Sequence, residues 1–140
     1  MKRSASAGWK GGLKDGQGTV SSESGALSRT PYNFRQRFEN EKGTNPEELV
    51  AAAHAACFSM ALSLFMANEG LTPENIDTTA TASFENVSGA WTVTSIHLET
   101  RVKSPGADAA KFQKAAEGAK AGCPISRLLN TNITLDARLA

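Results

Sequence analysis

The longest apolar segment of the chain runs from Asn45 to Gly70, and its apolar residues cover nearly every face of a helix. Asn45 suits the N-cap, Pro46 suits the first helical position, and Gly70 can supply the left-handed residue that ends a helix. Acidic residues bound the segment, and alanine supplies much of its apolar character. We therefore predict a buried core helix and not a membrane span.

Before this helix, residues 7–38 show the pattern of β structure with turns. Asp15-Gly16 and Ser24-Gly25 are turn signals that separate short strands. The run Tyr32–Phe38 alternates, which predicts a strand in which Arg35 and Arg37 share one face.

After the helix, alternation predicts two long strands, Ile76–Val87 and Trp91–Val102, with a bulge near Ser95 where the apolar phase shifts. Two helices and a last strand follow. Asp108 caps an amphipathic helix that ends at Gly122; its buried stripe is Phe112, Ala115, Ala116 and Ala119. Cys123–Leu129 begins a short helix with Pro124 at its first position, and Ile133–Leu139 alternates as the final strand.

These elements predict a single domain over residues 1–140. Its class is α+β, with antiparallel sheet and helices segregated from it. Most strand connections are short, which favours hairpins over βαβ crossovers.

Charge and cysteine usage narrow the function. The net charge of +1 indicates neither a nucleic-acid nor a membrane-surface partner. The first residues lack the apolar region of a secretory signal, so we expect a reducing cytoplasm. Two cysteines in such a chain are more often free, catalytic or redox-active than structural.

The two cysteines lie 123 − 57 = 66 residues apart, which excludes a C-x-x-C motif. Cys123 precedes a proline at a helix start, where the helix dipole stabilises a thiolate. Cys57 lies in the middle of an apolar helix, where desolvation raises the pKa of a thiol. Local context therefore ranks Cys123 as the more reactive, while the simplest alternative makes both cysteines small packing residues.

The segment N-P-E-E-L-V-A-A-A-H-A-A-C-F-S-M-A-L, followed by A-G-C-P-I-S, resembles the OsmC/Ohr family of osmotically inducible and organic hydroperoxide resistance proteins. The resemblance covers almost the whole chain, and the motifs are closer to those of the OsmC branch. It implies an intertwined homodimer and a cysteine-dependent peroxidase that reduces organic hydroperoxides. It implies no metal or organic cofactor.

The same resemblance implies roles for individual residues. Cys57 would be the peroxidatic cysteine and Cys123 the resolving one, which reverses the ranking from local context. Glu47 matches the family's acid in N-P-E, and Arg37 matches an arginine that precedes a phenylalanine before the central helix. Arg35 is a lesser candidate. An external dithiol, of lipoyl type in the family, would reopen the disulfide.

Glu47 and Cys57 are 57 − 47 = 10 residues apart. Ten residues of a straight helix rise about 15 Å along the helix axis, so the two side chains are far apart within one chain. A long arginine could bridge part of this gap, or the start of the helix could bend. We prefer a third arrangement, in which a dimer brings Glu47 of one chain to Cys57 of the other.

Three alternatives remain open at this point. His54, one helical turn before Cys57, could serve as the base of a Cys–His hydrolase, although a hydrogen-bonded core histidine is the simpler interpretation. His54, Cys57 and Cys123 could bind a metal, but no ligand-pair spacing supports this. The chain could also be a non-catalytic dimeric domain that binds an apolar ligand.

Overall fold

The computed structural model describes residues 1–140, which divide into two compact units, Met1–Leu49 and Val50–Ala140. The first unit holds an antiparallel sheet of three strands in the order β1 (Ala5–Lys10), β2 (Gln17–Ser22) and β3 (Thr30–Asn33). The two predicted turns connect these strands in succession. The prediction of a single domain over the whole chain stays a prediction.

The predicted strand Tyr32–Phe38 is wrong beyond Asn33, because residues Phe34–Phe38 form a short helix, α1. The Asn33 side chain caps α1 by accepting from the backbone N–H of Gln36 at 2.9 Å. Phe34 and Phe38, four residues apart, bring their rings to 4.7 Å. Their spacing fits a helical turn as well as it fits alternation.

The second unit holds a sheet in the order β4 (Asn75–Val87), β5 (Ala90–Lys103) and β6 (Asn132–Leu139). Strands β4 and β5 form the predicted long hairpin. β6, however, pairs with β5 in parallel, because helices intervene between the two strands. The α+β class is confirmed, but the expected preference for hairpins does not hold for this connection.

The predicted bulge is present in the β4–β5 hairpin. Ser83 pairs with Ser95 while Phe84 pairs with Val93, so Thr94 is the extra residue. The bulge lies beside the predicted position and explains why the apolar phase of β5 shifts there.

Helix α2 (Pro46–Asn68) begins and ends as predicted. Asn45 Oδ1 accepts from the backbone N–H of Glu48 at 2.9 Å, and Gly70 follows the helix with φ +74°. A single stripe of the helix is fully buried in the chain. Its members are His54, Phe58, Leu62 and Met66.

The other faces of α2 are less covered, and the exposed fractions of Met60 and Leu64 are 77% and 60%. The helix has the length and composition of a membrane span, with 22% of its most apolar stretch buried. One such helix is weak evidence for a membrane protein, since core helices share these properties.

The core of the second unit lies where α2 packs with the inner face of β5 and with helix α3 (Ala109–Gly122). Asp108 caps α3 by accepting from the N–H of Lys111 at 2.9 Å. Burying each large apolar side chain here contributes about 1.5–3 kcal/mol. The predicted stripe of α3 is confirmed in full: Phe112, Ala115, Ala116 and Ala119 are all buried.

Helix α3 approaches α2 closely because glycine stands where α3 meets Phe65. A Cβ on Gly118 would lie 2.6 Å from Phe65 Cδ1, and one on Gly122 would lie 2.8 Å from Phe65 Cζ. Both distances are shorter than carbon atoms tolerate. The pair of glycines thus holds the end of α3, and Cys123 beyond it, near α2.

Gly118→Ala should lower the free energy of unfolding by about 1–3 kcal/mol through overpacking against Phe65. Helix propensity alone would act in the opposite direction by about 1 kcal/mol. Urea denaturation measures the change, and the matched control adds Gly118→Ala to Phe65→Leu, where the new methyl should cost less. A more stable Gly118→Ala protein would contradict this account.

Candidate active site

The two cysteines meet between α2 and the start of helix α4 (Pro124–Leu128). Cys57 lies in the middle of α2, and Cys123 occupies the N-cap position of α4. Both are free thiols, and the Cys123 thiol donates to Cys57 Sγ at 2.9 Å. Residues 66 positions apart in the sequence are thus within reach of a disulfide.

The two thiols differ in access to solvent. Cys57 is half-buried, whereas Cys123 is fully buried. A bulky oxidant can therefore reach Cys57 more easily. The ranking from local context overlooked this difference, because burial of the α4 N-cap depends on what packs over it.

Competing effects act on the Cys57 thiol. Burial raises its pKa most, and the hydrogen bond with Cys123 raises it further, whereas the backbone N–H of Ile125 lowers it. The first turn of α4 thus directs an N–H at Cys57. Local context places the helix-start effect at Cys123 instead. The net pKa of Cys57 lies above its ordinary value, so the thiol pair alone does not supply a thiolate at neutral pH.

His54 is fully buried, and its Nε2 is hydrogen-bonded to Ser126 Oγ of α4 at 2.7 Å. Its Nδ1 has no partner. Burial lowers the pKa of His54, so the ring is neutral at physiological pH. This matches the core-histidine interpretation. The Cys–His hydrolase loses support, because the hydrogen bond of His54 goes to Ser126.

The first unit contains a second constellation, formed by Arg37 and Glu47. The Arg37 guanidinium donates from Nη2 to Glu47 Oε1 at 2.7 Å and from Nε to both carboxylate oxygens. The Glu47 side chain is 12% exposed. A two-point contact of this kind fixes the plane of a guanidinium.

Arg35 has different partners, Glu39 at 3.5 Å and Glu41 at 3.6 Å. The predicted shared strand face of Arg35 and Arg37 is wrong. On a helix, residues two apart project to nearly opposite sides. The structure therefore distinguishes the two arginines, which alternation could not do.

A cavity of about 510 Å³ lies in the first unit, on the sheet beside Trp9 and Tyr32. Neither thiol lines it. No group of three or more His, Cys, Asp or Glu residues is arranged to hold a metal ion, and His97 Nδ1 is hydrogen-bonded to Thr134.

A family model described as OsmC-like protein matches residues 39–138. The chain belongs to the OsmC family. It is 53% identical over 139 residues to Peroxiredoxin OsmC of Escherichia coli, covering 99% of this chain and 97% of that protein. It is also 33% identical to an organic hydroperoxide resistance protein of Xanthomonas axonopodis pv. citri, over 70% of this chain and 68% of that protein.

Solved structures of the family share the fold. An OsmC-like protein from Mycoplasma pneumoniae matches with a TM-score of 0.77 at 17% identity, covering 100% of this chain and 98% of that one. The organic hydroperoxide resistance protein OhrB of Bacillus subtilis matches with a TM-score of 0.68 at 24% identity, covering 98% of each chain. At these identities the likeness concerns the fold alone.

The structure brings the four predicted site residues together as two pairs, Cys57 with Cys123 and Arg37 with Glu47. The sequence does not reveal two further contacts near the thiols, the Ile125 N–H facing Cys57 and the hydrogen bond between Ser126 and His54. A backbone N–H carries no sequence signal. The only sequence signal for the Ser126 hydroxyl is a shared spacing: His54 lies three residues before Cys57, and Ser126 lies three residues after Cys123.

Proposed function

We propose that this protein reduces organic hydroperoxides to alcohols through a Cys57 sulfenic acid and a Cys57–Cys123 disulfide, which an external dithiol then reopens. The enzyme class, a cysteine-based peroxidase, follows from membership of the OsmC family and from 53% identity to a peroxiredoxin. The observation that carries the proposal is the thiol pair, with 2.9 Å between the sulfur atoms.

The first step needs a thiolate at Cys57. It attacks the terminal peroxide oxygen, the O–O bond breaks, and the alkoxide leaves as an alcohol after taking up a proton. The half-buried position of Cys57 and the apolar residues of α2 around it favour an alkyl or aryl hydroperoxide over hydrogen peroxide.

In the second step Cys123 condenses with the sulfenic acid. The Cys123 sulfur attacks the Cys57 sulfur, the S–O bond breaks, and hydroxide leaves with the thiol proton as water. Thiol–disulfide exchange with a dithiol, of the lipoyl type that the family resemblance implies, returns both thiols. No metal or organic cofactor takes part.

Arg37 is the cation that we assign to Cys57. A guanidinium keeps its charge at any physiological pH, and a cation beside a thiol lowers the pKa of that thiol. The bidentate contact with Glu47 orients Arg37 for this task. Both residues would act on Cys57 of a partner chain in a homodimer, since ten helical residues separate Glu47 from Cys57 by about 15 Å.

Uncovered apolar residues of α2 support such a dimer. Met60 and Leu64 are 77% and 60% exposed in the single chain, and a partner would remove them from water.

The cytoplasmic location stays a prediction.

Replacing the cysteines separately tests their roles. The wild-type protein should lose both thiols with about one equivalent of cumene hydroperoxide and more slowly with hydrogen peroxide. Cys57→Ser should abolish reduction. Cys123→Ser should allow one oxidation, leave a trappable sulfenic acid, and then accumulate sulfinic acid, measured by mass spectrometry.

The opposite pattern would assign the peroxidatic role to Cys123. It would consist of a first oxidation that survives in Cys57→Ser and is lost in Cys123→Ser. Comparable rates of thiol loss with cumene hydroperoxide and with hydrogen peroxide would argue against an apolar substrate site.

Arg37→Met should raise the pKa of Cys57 and slow peroxide reduction at neutral pH by roughly tenfold or more, because it removes the cation. Part of the rate should return at higher pH as the thiol ionises. Iodoacetamide alkylation against pH measures the pKa. The control is Arg35→Met, which removes a charge from the same helix and should do much less. A larger pKa change in Arg35→Met would identify Arg35 as the active-site arginine.

Mixing two inactive chains tests the composite site. Cys57→Ser lacks the nucleophile and Glu47→Ala lacks the residue that orients Arg37. A dimer with one chain of each kind should recover up to about half of the wild-type activity, because one complete site forms across the interface. Activity assays after co-refolding measure the recovery. Mixtures that stay inactive would place Glu47 and Cys57 of one chain in the same site.

A further inference from the structure

The hydrogen bond between His54 and Ser126 has no part in the chemistry proposed above. His54 is completely buried and Ser126 is 9% exposed. The ring satisfies only one of its two nitrogen atoms, because Nδ1 has no partner. A buried polar group left without a partner lowers stability, so an apolar pair would serve packing better at this position.

The hydrogen bond between His54 and Ser126 lies beside the contact between the two thiols. His54 stands three residues before Cys57 on α2, and Ser126 stands three residues after Cys123 on α4. The two contacts are therefore one helical turn apart on each helix, and together they hold α4 to α2 at two points. A second point of contact removes rotations of α4 that a single point would allow.

Helix α4 needs such support. It has five residues, and a helix of this length is not stable by itself. Much of its surface faces solvent, with Pro124 and Arg127 exposed and Leu128 73% exposed. Its apolar contacts come from Ile125 and from Leu129 just beyond it, both only partly buried. Apolar contacts of this kind are non-directional and do not define an orientation.

Orientation matters for one step of the reaction. A sulfenic acid either condenses with a second thiol or reacts with another peroxide to give sulfinic acid, which dithiols do not reduce. The condensation requires Cys123 to reach the Cys57 sulfur while the S–O bond opposite it breaks. A small displacement of α4 would slow this step more than the first oxidation, because its two effects on the pKa of Cys57 oppose each other: the Cys123 hydrogen bond raises that pKa and the Ile125 N–H lowers it.

We propose that the His54–Ser126 hydrogen bond positions α4 so that Cys123 closes the disulfide before the Cys57 sulfenic acid is oxidised further. Both residues are positioning residues, since their hydrogen bond joins them to each other and not to a sulfur atom. The inference rests on the proposed peroxidase function, and it adds that resistance to overoxidation is set by a polar contact outside the thiol pair.

Ser126→Ala in the full-length protein tests the inference, because it removes a single oxygen atom. With cumene hydroperoxide, the first loss of the Cys57 thiol should stay within about twofold of wild type. Disulfide closure should slow by roughly fivefold or more, the factor that corresponds to about 1 kcal/mol for one hydrogen bond. The fraction of sulfinic acid, measured by intact mass, should rise at the same peroxide concentration.

Ser59→Ala is the matched control. Ser59 lies on the same helix and donates to Thr78 on β4 at 2.8 Å, away from α4. Loss of this hydrogen bond should lower the urea midpoint about as much as Ser126→Ala does. It should leave the ratio of disulfide to sulfinic acid as in the wild type. Ser126→Thr, which keeps the hydroxyl, and His54→Gln, which keeps a hydrogen-bonding group near the Nε2 position, should each close the disulfide faster than Ser126→Ala.

An equal balance of products in Ser126→Ala and Ser59→Ala would overturn the positioning role. Failure of the peroxidase function would look different, because cumene hydroperoxide would leave the wild-type thiols intact. Disulfide closure can then be driven with diamide, whose N=N bond takes up the two thiol hydrogens as the S–S bond forms. Slower closure in Ser126→Ala than in Ser59→Ala would still support the inference, and equal rates would refute it.

Discussion

Helix α4 has only five residues, and its place against the middle of α2 decides how the two cysteines meet. The contact brings Cys123 to 2.9 Å from Cys57 and directs the Ile125 N–H at the same thiol. The rest of the second unit supports this contact. Helix α3 ends against Phe65 through Gly118 and Gly122, and the chain then turns directly into Cys123.

The thiol pair is nevertheless incomplete as a reactive centre. Burial and the neighbouring thiol raise the pKa of Cys57, and one backbone N–H only partly opposes them. A thiolate at Cys57 would need a permanent positive charge, and the proposed function assigns this role to Arg37, which is held by two oxygens of Glu47. The proposal therefore takes this charge from a partner chain.

The departures of the structure from the sequence analysis share a cause. Phe34 and Phe38 satisfy both alternation and helical spacing, and the Asn33 cap decides between the two. Strand β6 joins β5 in parallel because α3 and α4 fill the connection, which strand periodicity cannot register. Local context ranks Cys123 by its helix start alone and does not register its burial, since burial depends on residues distant in the sequence.

The sequence by itself determined the elements with strong local signals. It determined the limits of α2 from Asn45 and Gly70, the buried stripe of α3, and the bulge beside Ser95. It also determined the family, through motifs that stay contiguous in the chain. Only the tertiary structure decided which arginine meets Glu47, that the Ile125 N–H faces Cys57, and that His54 bonds Ser126. These contacts join residues far apart in the chain or use backbone atoms, and neither leaves a local pattern.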